Sequence, residues 1–120
     1  MNLAGFLLVV VLASCGTEES KSDTPPPAPP TCASLVNAIC TKACACGECR
    51  VVFLDDQGFG PDIDYADRAQ CEADLTMWHQ CTGTPTVNVA TCAAAANAAT
   101  CDPAFNDALR MHADCDPLHP

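Results

Sequence analysis

The stretch CASLVNAICTKACACGEC, from Cys32 to Cys49, decides how the chain is read. Cys32, Leu35, Val36, Ile39, Cys40, Ala43 and Cys44 recur at steps of three and four residues, the spacing of one face of a helix. Thr31 stands where an N-cap is needed, and Gly47 supplies a natural stop. The sulfurs therefore lie on the inward stripe of a helix rather than in a loop. Cysteines so placed are expected to cross-link that helix to its neighbours.

Working outward, a second helix is expected from about Asp64 to Cys81, with Cys71, Leu75, Trp78 and Cys81 on one face and Gly83-Thr84-Pro85 at its end. A third, about Asn88 to Thr100, carries Cys92 and the alanines of 93–96, the strongest helix formers. Asp102-Pro103 reads as an acidic N-cap with proline at the first helical position. It would open a fourth helix to about Ala113, turning Phe105, Leu109, His112 and Cys115 toward a core. Only Val51-Val52-Phe53-Leu54 reads as a possible short extended segment. The expected fold is all-α, a small disulfide-rich bundle of three to four helices.

Large apolar residues are few in this part of the chain: Phe53, Phe59, Phe105, Trp78, Tyr65 and a scatter of aliphatics, with much of the rest alanine. So thin a core needs covalent help. Of the 11 cysteines, ten lie after residue 31: Cys32, Cys40, Cys44, Cys46, Cys49, Cys71, Cys81, Cys92, Cys101 and Cys115. An even set in a short exported domain reads as a disulfide framework. Cys92 with Cys115 is the first choice, across the short connection between the third and fourth helices. Cys81 with Cys92 competes, and roughly 10³ connectivities leave the remainder open.

Toward the N-terminus, Leu3 to Ala13 is apolar except for Gly5. As a helix it would span about 16 Å, too short to cross a bilayer and suited to a signal h-region. Leu12-Ala13-Ser14-Cys15 follows, and this run resembles the lipobox of bacterial lipoproteins. The resemblance implies that residues 1–14 are a signal peptide and that Cys15 carries palmitate-type acyl chains as a membrane anchor. An ordinary secretory signal cut near Ala13 or Ser14 is the competing reading, and would leave Cys15 a spare thiol. Gly16 is not the aspartate that retains such proteins at the inner membrane, so the resemblance implies the outer membrane, with its periplasmic or surface face open. Residues 15–31 are the lipidated cysteine and a disordered proline-rich tether, GTEESKSDTPPPAPPT, without a large apolar residue. Residues 32–120 form the cysteine-rich helical domain. That part resembles small cysteine-rich helical lipoproteins of large bacterial genomes, a likeness that brings no site with it.

Three patterns carry candidate chemistry. Cys40-x3-Cys44-x-Cys46-x2-Cys49 has thiolates spaced to surround a soft metal, but oxidised cysteines do not ligate. Cys46-Gly47-Glu48-Cys49 is a CxxC, yet it follows a helix instead of opening one, where the carbonyl end opposes a thiolate. The loop Asp55 to Asp67 is acidic, and Asp55, Asp56, Asp62 and Asp64 are weak calcium candidates that miss the EF-hand spacing. Phe59 at the loop's tip is a candidate contact residue if exposed. His79, His112 and His119 are scattered, with no nucleophile placed against them.

With 15 acidic and 5 basic residues the net charge is −10, which repels phosphate backbones and excludes nucleic acid as a partner. The functional expectation is an outer-membrane-anchored, disulfide-stabilised lipoprotein, a non-enzymatic binding or structural module without a cofactor. Its partners would be the membrane, through the lipid, and a protein or cationic species of unknown identity. The alternative is a periplasmic or surface metal-binding protein using Cys40–Cys49 or Asp55–Asp67, and behind it a CxxC thiol-redox protein.

Overall fold

Thr31 opens the first helix as the spacing requires. Its side chain accepts from the Ser34 amide at 3.1 Å while the Ser34 hydroxyl accepts from the Thr31 amide at 2.9 Å, a reciprocal box that satisfies two otherwise orphaned donors. The computed structural model describes residues 25–118. The expected signal segment 1–14, the expected acylation site Cys15, the expected tether as far as residue 24, and His119 lie outside the described residues.

Helix α1 runs Cys32–Cys46, strand β1 Arg50–Leu54, β2 Asp62–Asp64, α2 Arg68–Trp78, α3 Val89–Ala98, β3 Cys101–Asp102 and β4 Ala108–His112. Single 3₁₀ turns occupy Pro103–Phe105 and Ala113–Cys115. The strands form one sheet in the order β2-β1-β4-β3, antiparallel except for the central parallel pair, which aligns Val51 with Leu109 and Leu54 with His112. Among the described residues strand accounts for 16% and helix for 45%, so the expected all-α bundle is corrected to an α/β fold.

The correction falls mainly on the expected fourth helix. Asp102 does cap a helical start, accepting from the Ala104 amide at 3.0 Å, but the turn lasts only to Phe105. Asn106 and Asp107 both take left-handed backbone, at φ 57°, which stops a right-handed helix; Asn and Asp tolerate that region best. The chain then extends. Ala108–His112 buries Leu109 and Met111 on one face and leaves Arg110 and His112 exposed on the other, the two-residue period of a strand. β1 makes the parallel partner it needs, 58 positions earlier in the chain.

The three helices pack on one face of the sheet. Val51, Phe53, Leu109 and Met111 point into them and meet Leu35, Val36, Ile39 and Leu75, all at 2% exposure or less. The opposite face carries a small cluster of Val52, Leu54 and Ala108, with Phe105 against it. Between α1 and β1 the chain reverses over residues 47–49. Gly47 sits at φ 147°, which only glycine adopts readily, and Cys49 at φ 50°.

All ten cysteines of the domain are paired. Cys40–Cys71 joins α1 to α2 through the core, and Cys32–Cys81 joins the start of α1 to the segment after α2. Cys44–Cys49 closes the end of α1 onto the approach to β1, and Cys46–Cys101 ties α1 to β3. Cys92–Cys115, the pair chosen from sequence, is present, but its second partner lies on a 3₁₀ turn and not on a helix; Cys81 is taken by Cys32. Residues 25–31 run exposed without regular structure, and Pro27 and Pro30 border a groove between α1 and α3. No helix among the described residues is long and apolar enough to cross a membrane.

Candidate functional site

In sheets with parallel strands, crevices form outside the carboxyl ends, where the chain turns away and leaves space. Here the parallel pair β1 and β4 ends at Leu54 and His112, and an open cleft of about 680 Å³ lies there. One wall is the loop of Asp55 to Gly58, the other the end of α3 through Thr100, and Arg110 and His112 form the floor.

The loop is held by its own backbone. Asp55 Oδ1 accepts from the amides of Gln57 and Phe59, each at 2.9 Å, while the Asp55 amide donates to the Phe59 carbonyl at 3.1 Å. Gly60 then passes so close to β1 that a Cβ there would lie 1.6 Å from the Phe53 carbonyl oxygen, which demands glycine. This geometry leaves Phe59 at 73% exposure, so the ring stands in water instead of returning to the core.

On the floor, His112 Nδ1 accepts from the Asp114 amide at 3.2 Å and lies 3.4 Å from the Asp114 carboxylate. In the neutral ring Nε2 then carries the hydrogen, and it faces Asp56 at 4.0 Å. Arg110 is half in solvent and 3.8 Å from Asp102. The cleft therefore presents both signs of charge in water, an arrangement suited to recognising a polar or charged surface. Its lining carries no serine or cysteine; the hydroxyl it holds is that of Thr100.

The four aspartates proposed for calcium do not converge. Asp55 is spent on its loop, and Asp56 is fully exposed beside His112. Asp62 and Asp64 turn to the open sheet face, where both pair with Arg50; the Arg50 Nε donates to Asp62 at 2.6 Å and lies 3.3 Å from Asp64. That guanidinium also reaches the Phe105 carbonyl at 3.4 Å. Among the described residues, no group of three or more His, Cys, Asp or Glu is arranged to hold a metal ion. In the Cys40–Cys49 run, Cys40 is bonded to Cys71, Cys44 to Cys49 and Cys46 to Cys101, so the CxxC sulfurs face different partners.

His79 is fully buried at the end of α2. Its Nε2 donates to the Cys115 carbonyl at 3.1 Å, and its Nδ1 is enclosed without a hydrogen-bond partner. Burial holds the imidazole below its ordinary pKa, against the Cys115 and Leu75 carbonyls and the charge of Asp116. The Tyr65 hydroxyl is likewise enclosed without a partner, and burial, with the Asp74 charge behind it, pushes its pKa up. Both groups belong to the packed interior and not to the cleft. Sequence reasoning missed Arg110 and Thr100, because a helical reading put them on unrelated faces. No family model matches the chain, and no curated protein or solved structure is similar enough to count as a match, so the cleft is read on its own geometry.

Proposed function

We propose that the mature protein is a non-enzymatic binding module, stapled by disulfides and held at the outer membrane by acyl chains on Cys15. The observation that carries this reading is the closed sulfur count. The ten cysteines of the domain pair with one another, so none of them is left for Cys15. A lone cysteine ending a short apolar run is then accounted for by acylation, and two or more acyl chains anchor where one binds only marginally. The proline-rich tether holds the domain off the bilayer, and the chain's net charge of −10 favours cationic partners over headgroups or nucleic acid. The cleft between the Asp55 loop and α3 is the docking surface in this reading.

Radiolabelled palmitate fed to cells expressing the chain tests the anchor. Label on the wild type, lost in Cys15→Ala together with membrane association, supports it. A Cys15→Ala variant that keeps the label or stays with the membrane defeats it.

A further inference from the structure

The five disulfides differ in how far water reaches them. Cys40, Cys71, Cys92 and Cys115 are at 0% exposure, and Cys32 is buried against half-buried Cys81. Cys44–Cys49 is half-buried at both ends. Only Cys46–Cys101 has an exposed cysteine, Cys101, on a two-residue strand at the sheet's edge. That disulfide also lines a second cavity, of about 320 Å³, which brings both sulfurs' residues together with Leu109 and Lys42. Lys42 lies one helical turn before Cys46 on α1, an i,i+4 relation that puts them on one face. Its ammonium is fixed, donating to the carbonyls of Ala96 and Asn97 at 2.7 Å and of Ala99 at 3.2 Å.

We propose that Cys46–Cys101 is a thiol-exchange site, opened by a dithiol while the other four disulfides stay closed. A thiolate of the dithiol attacks the sulfur of exposed Cys101. The Cys46–Cys101 bond breaks, its electron pair leaves on Cys46, and a mixed disulfide forms on Cys101. The second thiol of the reagent loses its proton and attacks its own bound sulfur, releasing Cys101. The dithiol becomes a disulfide, two electrons pass to the protein, and the two thiol protons end on Cys46 and Cys101. Exposure selects Cys101 as the point of attack, and the Lys42 charge favours Cys46 as the leaving thiolate, against the carbonyl end of α1.

Opening this bond acts on the cleft. β3 pairs with β4 only through Cys101–Leu109 and Asp102–Ala108, and the adjoining residues Ala98, Ala99 and Thr100 form one cleft wall. Without its covalent tie to α1, that wall is held by two strand pairs, the bond from the Arg110 amide to Thr100 at 3.3 Å and the Lys42 ammonium on the Ala99 carbonyl at 3.2 Å. The inference thus adds redox control to the docking surface, and it rests on the stapled-module reading of the cleft.

The test uses the mature lipidated protein in detergent, titrated anaerobically with dithiothreitol, quenched in acid, alkylated and mapped by mass. Cys46 and Cys101 are expected to alkylate first, at about tenfold less reductant than any other pair. Another pair opening first, or all five opening together, overturns the proposal. Lys42→Met should slow this opening about fivefold and Lys42→Arg should restore it, the other disulfides being unaffected; equal rates in all three proteins remove the lysine's part. If Cys46 and Cys101 alkylate before any reductant is added, both the proposal and the stapled reading of that pair fall. Five intact disulfides followed by a different order sink the proposal alone.

Discussion

The two faces of the sheet are made from the same strands and are protected from water by different means. On the helix side, Phe53, Val51, Leu109 and Met111 are covered by α1, α2 and α3, with Cys40–Cys71 and Cys92–Cys115 at 0% exposure among them. On the other side, Phe105 is the one hydrophobic side chain among the described residues packed against Val52, Leu54 and Ala108, and polar pairs stand around them: Arg50 with Asp62 and Asp64, Arg110 with Asp102, His112 near Asp56. Packing and sulfur hold the first face. The second is a thin apolar patch under solvated charge, and it is there, at the strand ends, that the cleft opens. The packed core and the open cleft thus belong to different parts of one sheet.

Five changes break or sharpen that contrast. The largest effect is expected from Phe53→Ala, which empties the helix-side core and should cost about 3–5 kcal/mol by chemical denaturation, against about 2 kcal/mol for Leu54→Ala on the open face. Equal losses would mean the faces are not different. Replacing Cys40 and Cys71 together by alanine should cost about 2–4 kcal/mol, through the 31-residue separation they close. A denaturation midpoint unchanged by that double substitution would show the staple to be redundant.

Acid should act through the helix side. Because burial lowers the His79 pKa, the unfolded chain takes up that proton first. This contribution is fully present above the ordinary histidine value of 6.5 and is lost as the pH falls below it, by up to about 1.4 kcal/mol per pH unit, until the folded ring also protonates. His79→Gln should flatten the stability curve in that window; an unaltered slope would assign the loss to other groups. The smallest effect belongs to the loop beside the cleft. Phe59→Ser should move stability by less than about 0.5 kcal/mol, since the ring touches no core, and a larger loss would place it in the fold.

Local signals were readable and distant pairings were not. α1 begins after Thr31 and buries Cys32, Leu35, Val36, Ile39, Cys40 and Ala43, the stripe its spacing requires, because capping and periodicity both act within a few residues. α2 and α3 appear inside their expected ranges, shortened at each end, with Asp67 and Asn88 as caps. The error at 102–113 has a physical source. Phe105, Leu109 and His112 fit a helical period, while Leu109 and Met111 fit a strand, and eight residues do not separate the two. What decided it was Asn106-Asp107 in left-handed backbone and a partner strand 58 positions away, and neither the backbone choice nor the pairing is written in composition. The cleft was half legible. Asp55 and Asp56 were singled out as part of a loop, but Arg110 and Thr100 join them only once β4 lies beside β1.

The central claim, that the domain's sulfurs are all committed to cross-links and Cys15 to lipid, is tested most directly by the intact mass of the mature, non-reduced protein before and after alkylation. The account requires a chain beginning at acylated Cys15, carrying five disulfides and gaining no alkyl group. An unacylated chain, or one that takes up alkylating reagent without reduction, would contradict it.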